Sequence, residues 1–221
     1  SNSMAIPINI EDLLNKRKIE SNRIEFKKGW NPDKIYRTIC AFANDFDNIG
    51  GGYIVVGIEE EERTGIAKRP VTGVPIEALN DIQKDMVGYN NKIEPYYMPR
   101  IDVQEVDGKS VLVIWAPAGV NRPYNVRERV TAKQSPSKWY IRSGTSTIEA
   151  KGEVLDELRE MANRTPFDER GNERIEISDI SPALVLDYLQ TVGSRLANDF
   201  ESKPFVEILG QMDLLLSLIH I

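Results

Sequence analysis

Glu25 and Lys27 flank Phe26 in the short run Ile-Glu-Phe-Lys, and Glu59 and Glu60 close the apolar run at 53–58. On a strand, alternate side chains point to opposite faces, so Glu25 and Lys27 share one face and Phe26 takes the other. Two such strands side by side would bring carboxylates and an amine to one rim. Carboxylate oxygens are the hard ligands that Mg²⁺ or Mn²⁺ prefers. A metal held there polarises a phosphodiester and generates hydroxide near neutral pH. The plainer reading of the same residues is a cross-strand ion pair and a solvated acidic loop.

The elements that must position these residues follow from local signals. Asn9 caps a short helix over 9–17, with Leu13 and Leu14 inward. Residues 23–26 read as a strand. Asn31 and Pro32 open a helix that runs to about Asp45, with Ile35, Ile39, Phe42 and Phe46 at helical spacing. Three glycines end a turn at 47–52, and 53–58 is a buried strand. A second helix over 75–89 places Ile76, Leu79, Ile82, Met86 and Val87 at its apolar positions. Asp107-Gly108, between apolar runs at 101–106 and 110–115, predicts a hairpin with a type I′ turn. Two further strands, 123–130 and 138–142, surround a polar tip at 131–137. A helix over 149–161 turns Val154, Leu155, Leu158 and Met161 inward.

Residues 164–180 carry proline, glycine and charge without periodicity and read as a linker. Helices are expected over 183–196 and 201–209, the second interrupted by Pro204, before an apolar tail at 214–221. The fold class is α+β, a mixed β-sheet with packed helices, followed by a short helical extension. The expected organisation is a tag remnant and arm at 1–8, a main domain at 9–163, the linker, and at 181–221 the start of a further domain.

The chain has 221 residues and a formal net charge of −6, with pI ≈ 5.1. Such a chain does not coat nucleic acid with its whole surface, but a local basic face is compatible with it. Between 121 and 142 lie Arg122, Arg127, Arg129, Lys133, Lys138 and Arg142 against one acid, Glu128. Tyr124, Trp139 and Tyr140 interleave with them. Cations hold phosphates and aromatic faces stack on unpaired bases, so this segment is the candidate nucleic-acid surface. A second basic run joins Lys16, Arg17 and Lys18 with Arg23, Lys27 and Lys28.

Other chemistry is poorly supported. The sole histidine, His220, is next to the last residue, which removes most Ser-His, Cys-His and His-rich zinc arrangements. The sole cysteine, Cys40, sits in an apolar helix pattern and reads as a core residue in a reducing, cytoplasmic setting. No apolar run approaches the roughly 20 residues needed to cross a bilayer. The glycines at 50–52 follow a helix and precede a strand, with no Lys-Ser or Lys-Thr pair behind them. A phosphate-binding loop has the reverse order, so ATP is not expected to bind there. Between 181 and 221 only Arg195 and Lys203 face a larger number of carboxylates, which disfavours a DNA-reading helix pair.

Glu20-Ser21, Glu25-Phe26-Lys27, Ala41-Phe42-Ala43-Asn44, Gly51-Gly52, Gly57 and Glu59 together resemble the Schlafen-type AlbA-like domain, formerly called "divergent AAA". The segment 139–147 resembles that family's closing strand and turn, and the likeness covers roughly residues 10–162. The resemblance implies nucleic-acid binding within a larger transcriptional regulator. Schlafen members cut RNA with three carboxylates, which map here to Glu20, Glu25 and Glu59, with Lys27 steadying the phosphate. Glutamate stands at 59 where the family often has aspartate. The expected function is a DNA- or RNA-binding module. The alternatives are a divalent-metal-dependent endonuclease and a protein-interaction scaffold. A homodimer formed through the apolar tail is a further expectation.

Overall fold

A computed structural model describes residues 6–163, 181–191, 193 and 195–211. The chain divides into two compact units, Ser1–Ala162 and Asn163–Ile221. The expected tag remnant, the linker at 164–180 and the apolar tail with His220 lie outside the described residues.

In the first unit, Asn9 accepts from the Glu11 amide and starts α1 (Ile10–Leu14). A single 3₁₀ turn, Ser21–Arg23, leads into β1 (Ile24–Lys27). The Asn31 side chain accepts from the Lys34 amide and Pro32 occupies the first turn of α2 (Pro32–Asn44), as the capping signals require. β2 (Gly52–Val56) follows the glycine turn. Then come α3 (Ile76–Asn90), β3 (Ile93–Glu94), β4 (Arg100–Val106) and β5 (Lys109–Ala116). β6 (Asn125–Arg127), β7 (Ser137–Ser143), β8 (Ser146–Glu149) and α4 (Gly152–Asn163) complete the unit.

The fold is α+β, as expected, with its strands in two four-stranded sheets. One is mixed, with order β1-β2-β5-β4, and β1 runs parallel to β2. The other has order β3-β6-β7-β8 and is antiparallel throughout. α2 packs against strands of both sheets, and for this reason nearly all of it from Ile35 to Asn44 is buried. Strand alternation assigns the first sheet's two faces. Ile54, Val56, Leu112 and Ile114 join α2 in one core; Tyr53, Val55, Val111 and Val113 meet Leu13 and Leu14 of α1 in the other. Ile24 and Phe26 belong to the α1 side, so Glu25 and Lys27 face the α2 side.

Asp107 and Gly108 both have positive φ, 53° and 71°, which is the backbone of a type I′ turn. Gly52 has no room for a side chain, since a Cβ would lie 2.4 Å from the Phe42 ring. Three packing expectations differ. Ile76 and Val87 of α3 are exposed and leave Leu79, Ile82 and Met86 to carry the contact. Val154 of α4 also faces water, while Leu158 is buried. The strand expected over 123–130 pairs only at 125–127, and residues 146–149 form a hairpin partner for β7 before α4 begins.

The second unit contains α5 (Pro182–Thr191), α6 (Leu196–Asp199) and α7 (Phe205–Gln211). Val185, Leu189, Ile208 and Leu209 form its core, and α7 begins directly after Pro204 instead of being interrupted by it.

Candidate nucleic-acid interface

The β6–β7 hairpin holds most of the basic residues singled out above, and α2 fixes its connecting loop. Asp33, in the first turn of α2, accepts from the Thr131 amide at 3.0 Å and from its hydroxyl, and pairs with Arg129 at 3.7 Å. Arg37, one turn later, donates to the Glu128 carbonyl. Lys34 is exposed and shares a helix face with Arg37. Arg127 donates to the Lys133 carbonyl, Lys138 pairs with Glu128 at 3.2 Å, and Lys133 is exposed. The Arg129 side chain is 67% exposed. Lys34, Arg37, Arg127, Arg129, Lys133 and Lys138 thus gather around two carboxylates, Asp33 and Glu128. The sequence reading missed Lys34 and Arg37 because they lie some ninety residues upstream.

Two expected members stand elsewhere. Arg122 reaches the Asn44 carbonyl at the far end of α2. Arg142 is only 7% exposed and is not a surface cation. Its Nη1 donates to Glu25 at 2.7 Å and to the Thr147 hydroxyl at 2.9 Å, and its guanidinium lies over the Phe42 ring. The aromatic residues are also structural rather than available to bases. Tyr124 and Tyr140 are buried, with the Tyr140 hydroxyl's pKa raised to about 12 by burial. Trp139 packs under α4 with Arg159 over its ring.

Asn44 explains how the hairpin is held. Its Nδ2 donates to the Tyr124 carbonyl at 3.0 Å and the Tyr140 carbonyl at 2.7 Å, and its Oδ1 accepts from the Tyr124 amide at 2.7 Å. One buried amide therefore joins α2 to β7 and to the residue preceding β6. Cys40, beside it, is fully buried, and burial pushes its thiol up to about 12.

Glu20 and Glu59 stand at opposite ends of the β1–β2 pair. β1 and β2 are parallel, and the turn carrying Glu20 lies at the end of the pair where Arg23 reaches the Gly51 carbonyl. Glu59 follows the opposite end, where the Gly57 amide donates to the Lys27 carbonyl. Glu25 lies between them and is held by Arg142 and by Lys27, the latter at 3.2 Å. Glu59 is half-exposed and pairs with Lys68 at 3.4 Å and Lys28 at 3.6 Å. Lys68 first, and then Lys28, hold its carboxyl below the usual glutamate range. Among the described residues no group of three histidine, cysteine, aspartate or glutamate side chains is placed to hold a metal ion. The donor set therefore does not fit the divalent ion that the resemblance implied.

The glycine turn is also accounted for. Asp45 Oδ1 accepts from the amides of Ile49, Gly50 and Gly51, each at 3.0 Å. An internal carboxylate thus sits where a phosphate-binding loop would present free amides, and Gly50 and Gly51 supply the positive φ.

The Schlafen, AlbA_2 family matches residues 20–151, and the chain belongs to that family. No curated protein matches it. Among solved structures, a crystal structure of a Corynebacterium diphtheriae protein is similar at 22% identity and TM-score 0.45, covering 72% of this chain and 29% of that one. The solution structure of the N-terminal domain of a Nitrosomonas europaea protein, named as related to the ATP-dependent DNA helicase RecG, is 26% identical. Its TM-score is 0.43, with 65% of this chain and 92% of that domain covered. The chain thus spans under a third of the Corynebacterium protein it matches. Among the described residues no helix is long and apolar enough to cross a membrane.

Proposed function

We propose that the chain is a nucleic-acid-binding module of a larger regulator, contacting phosphates through the β6–β7 hairpin and the first turns of α2. The family is nucleic-acid related. The observation that carries the reading is the hairpin loop, tied to α2 through Asp33 and Arg37, which presents Arg129 and Lys133 to water. A fixed loop loses little conformational freedom on binding, so its cations are ready for a polyanion. Arg127, Lys138 and Lys34 extend the surface. Nothing in it resembles a helix that reads base edges in a groove, so phosphate contacts dominate and affinity falls with salt.

The test is fluorescence anisotropy with labelled single-stranded RNA, single-stranded DNA and duplex DNA over a salt series. The expected result is binding that weakens linearly on logarithmic axes. Double charge reversal, Arg127→Glu with Arg129→Glu, should weaken every substrate. No binding to any of the three, or binding indifferent to salt and to that variant, would overturn the reading in favour of an interaction scaffold.

A further inference from the structure

β4 lies at one edge of the mixed sheet, with β5 as its hydrogen-bonded neighbour. The turn at Asp107-Gly108 fixes which of its backbone groups are free. A two-residue type I′ hairpin closes on a hydrogen-bonded pair, here Val106 and Lys109. Such pairs alternate along an antiparallel ladder, so Gln104, Asp102 and Arg100 also bond to β5. Glu105, Val103 and Ile101 turn their amides and carbonyls outward. No protein group among the described residues meets them there. An open edge of seven residues is a template for a further strand.

The side chains decide which strand. Edges are commonly guarded by charge, and charges of one sign repel a second copy of themselves. β4 instead carries opposite signs on one face. Arg100 and Asp102 stand across from Trp115 and Val113, on the α1 side of the sheet. Ile101 and Val103 stand across from Ile114 and Leu112, on the α2 side. Arg100 and Asp102 are half-buried; Asp102 accepts from the Gln104 side chain, and among the described residues neither forms an ion pair. Antiparallel pairing of β4 with itself about a two-fold axis allows few registers. Centred on Ile101, it sets Arg100 directly across from Asp102 of the second copy, and symmetry repeats the pair. Centred on Asp102, it sets two carboxylates against each other. Centred on Val103, it sets Arg100 against Val106 and leaves both charges unmatched. Pro99 has no amide to donate and ends the paired segment. Val103, 40% exposed, and Met98, 51% exposed, lie on either side of Ile101 in the chain, where a second copy covers them.

We infer that β4 is an interaction surface for a second copy of this chain, paired antiparallel about Ile101 and keyed by Arg100 and Asp102. The mixed sheets of the two copies then run on as one. The β6–β7 hairpin belongs to the other sheet, so this pairing does not depend on the nucleic-acid reading. A single pair of short strands is a small interface, so the dimer is weak and depends on concentration.

The experiment is analytical ultracentrifugation of the full chain over a concentration series, without nucleic acid. The expected result is a monomer–dimer equilibrium. Asp102→Arg sets arginine against arginine and should weaken association about tenfold or more, and Arg100→Asp should do the same with carboxylates. The double variant, Arg100→Asp with Asp102→Arg, restores the opposite pairs and should recover the dimer. Thermal melts establish that each variant is folded. If the variants do not fold, hydrogen exchange on the unmodified chain decides: the Ile101 amide, free in the monomer, should gain protection as concentration rises. A chain that stays monomeric up to about 1 mM overturns the inference. A dimer that both single variants leave intact forms elsewhere on the chain and also overturns it. So does a folded double variant that fails to recover, or an Ile101 amide whose exchange ignores concentration.

Discussion

The β1–β2 edge and the β6–β7 hairpin are built from the same charged residue types, yet they are opposite in what they offer a ligand. At the first, Glu25 is held by Arg142 and Lys27, Glu59 by Lys28 and Lys68, and Lys16 lies near Glu60. At the second, six cations gather around Asp33 and Glu128, and the carboxylates position the loop as much as they neutralise it. A charge is available to a ligand only when no partner within the fold has already taken it. Residue type and spacing do not show this, because the partners come from distant segments.

The comparison breaks most severely at Asn44, which places the hairpin against α2. Asn44→Ala removes the hydrogen bonds to the Tyr124 amide and to the Tyr124 and Tyr140 carbonyls, and only the Tyr124 carbonyl keeps another donor, the Cys40 thiol. The expected cost is about 3–5 kcal/mol, read by urea unfolding. If the hairpin works because it is fixed, nucleic-acid affinity should fall as well in any fraction that remains folded. Unchanged affinity in a folded Asn44→Ala protein would show that the cations act without the frame.

Next in size is the hairpin itself. Arg127→Glu with Arg129→Glu changes the local charge by four units on an exposed surface and should weaken binding by roughly 10–100-fold at low salt. The unfolding midpoint should barely move, because surface pairs such as Arg129–Asp33 contribute little. The equivalent reversal at Lys28 and Lys68 should do far less to affinity. An equal loss at both places would erase the distinction between the regions.

What could be read early and what could not divides along the same line. Asn31-Pro32, Asp107-Gly108 and the three glycines at 50–52 are local signals, and the helix start, the hairpin turn and the tight turn follow from them. The alternation of Glu25 and Lys27 against Phe26 was also legible, because it depends only on strand geometry. Arg142 read as a surface cation because its neighbours in sequence are basic. Its real partner, Glu25, comes from the other sheet, 117 residues away. Tyr124 and Tyr140 read as stacking platforms and proved to be core for the same reason. The convergence of Glu20, Glu25 and Glu59 that the resemblance implied depends on the direction of one strand relative to the next, which no local pattern carries. Parallel pairing of β1 and β2 puts the outer two at opposite ends.

Glu25→Gln sharpens the first region at intermediate size. The amide keeps an acceptor for Arg142 but loses the charge, and the site is partly shielded, with the Glu25 side chain 19% exposed. A loss of about 1–2 kcal/mol in unfolding free energy is expected. Affinity for nucleic acid should stay within about twofold, because the hairpin is untouched. A loss of binding with unchanged stability would mean that Glu25 meets the ligand and not only Arg142.

The smallest effect belongs to Glu59. Glu59→Gln leaves Lys28 and Lys68 without their carboxylate at a half-exposed site. Two freed lysines attract a polyanion slightly, so affinity at neutral pH and low salt should rise by no more than about threefold. The sign of the pH dependence follows from the depressed carboxyl. A group whose pKa is lower in the folded protein stabilises it above the ordinary glutamate range, and that contribution is lost as pH falls through the lowered folded value. Protonating Glu59 releases the same lysines that the glutamine variant releases. The two proteins should therefore differ most at neutral pH and converge as pH drops below the ordinary glutamate range, with anisotropy measured in parallel on both. A gap that persists in acid would mean that the variant acts through something other than the paired charge. The β1–β2 edge would then be a second contact surface instead of a region whose charges are already matched.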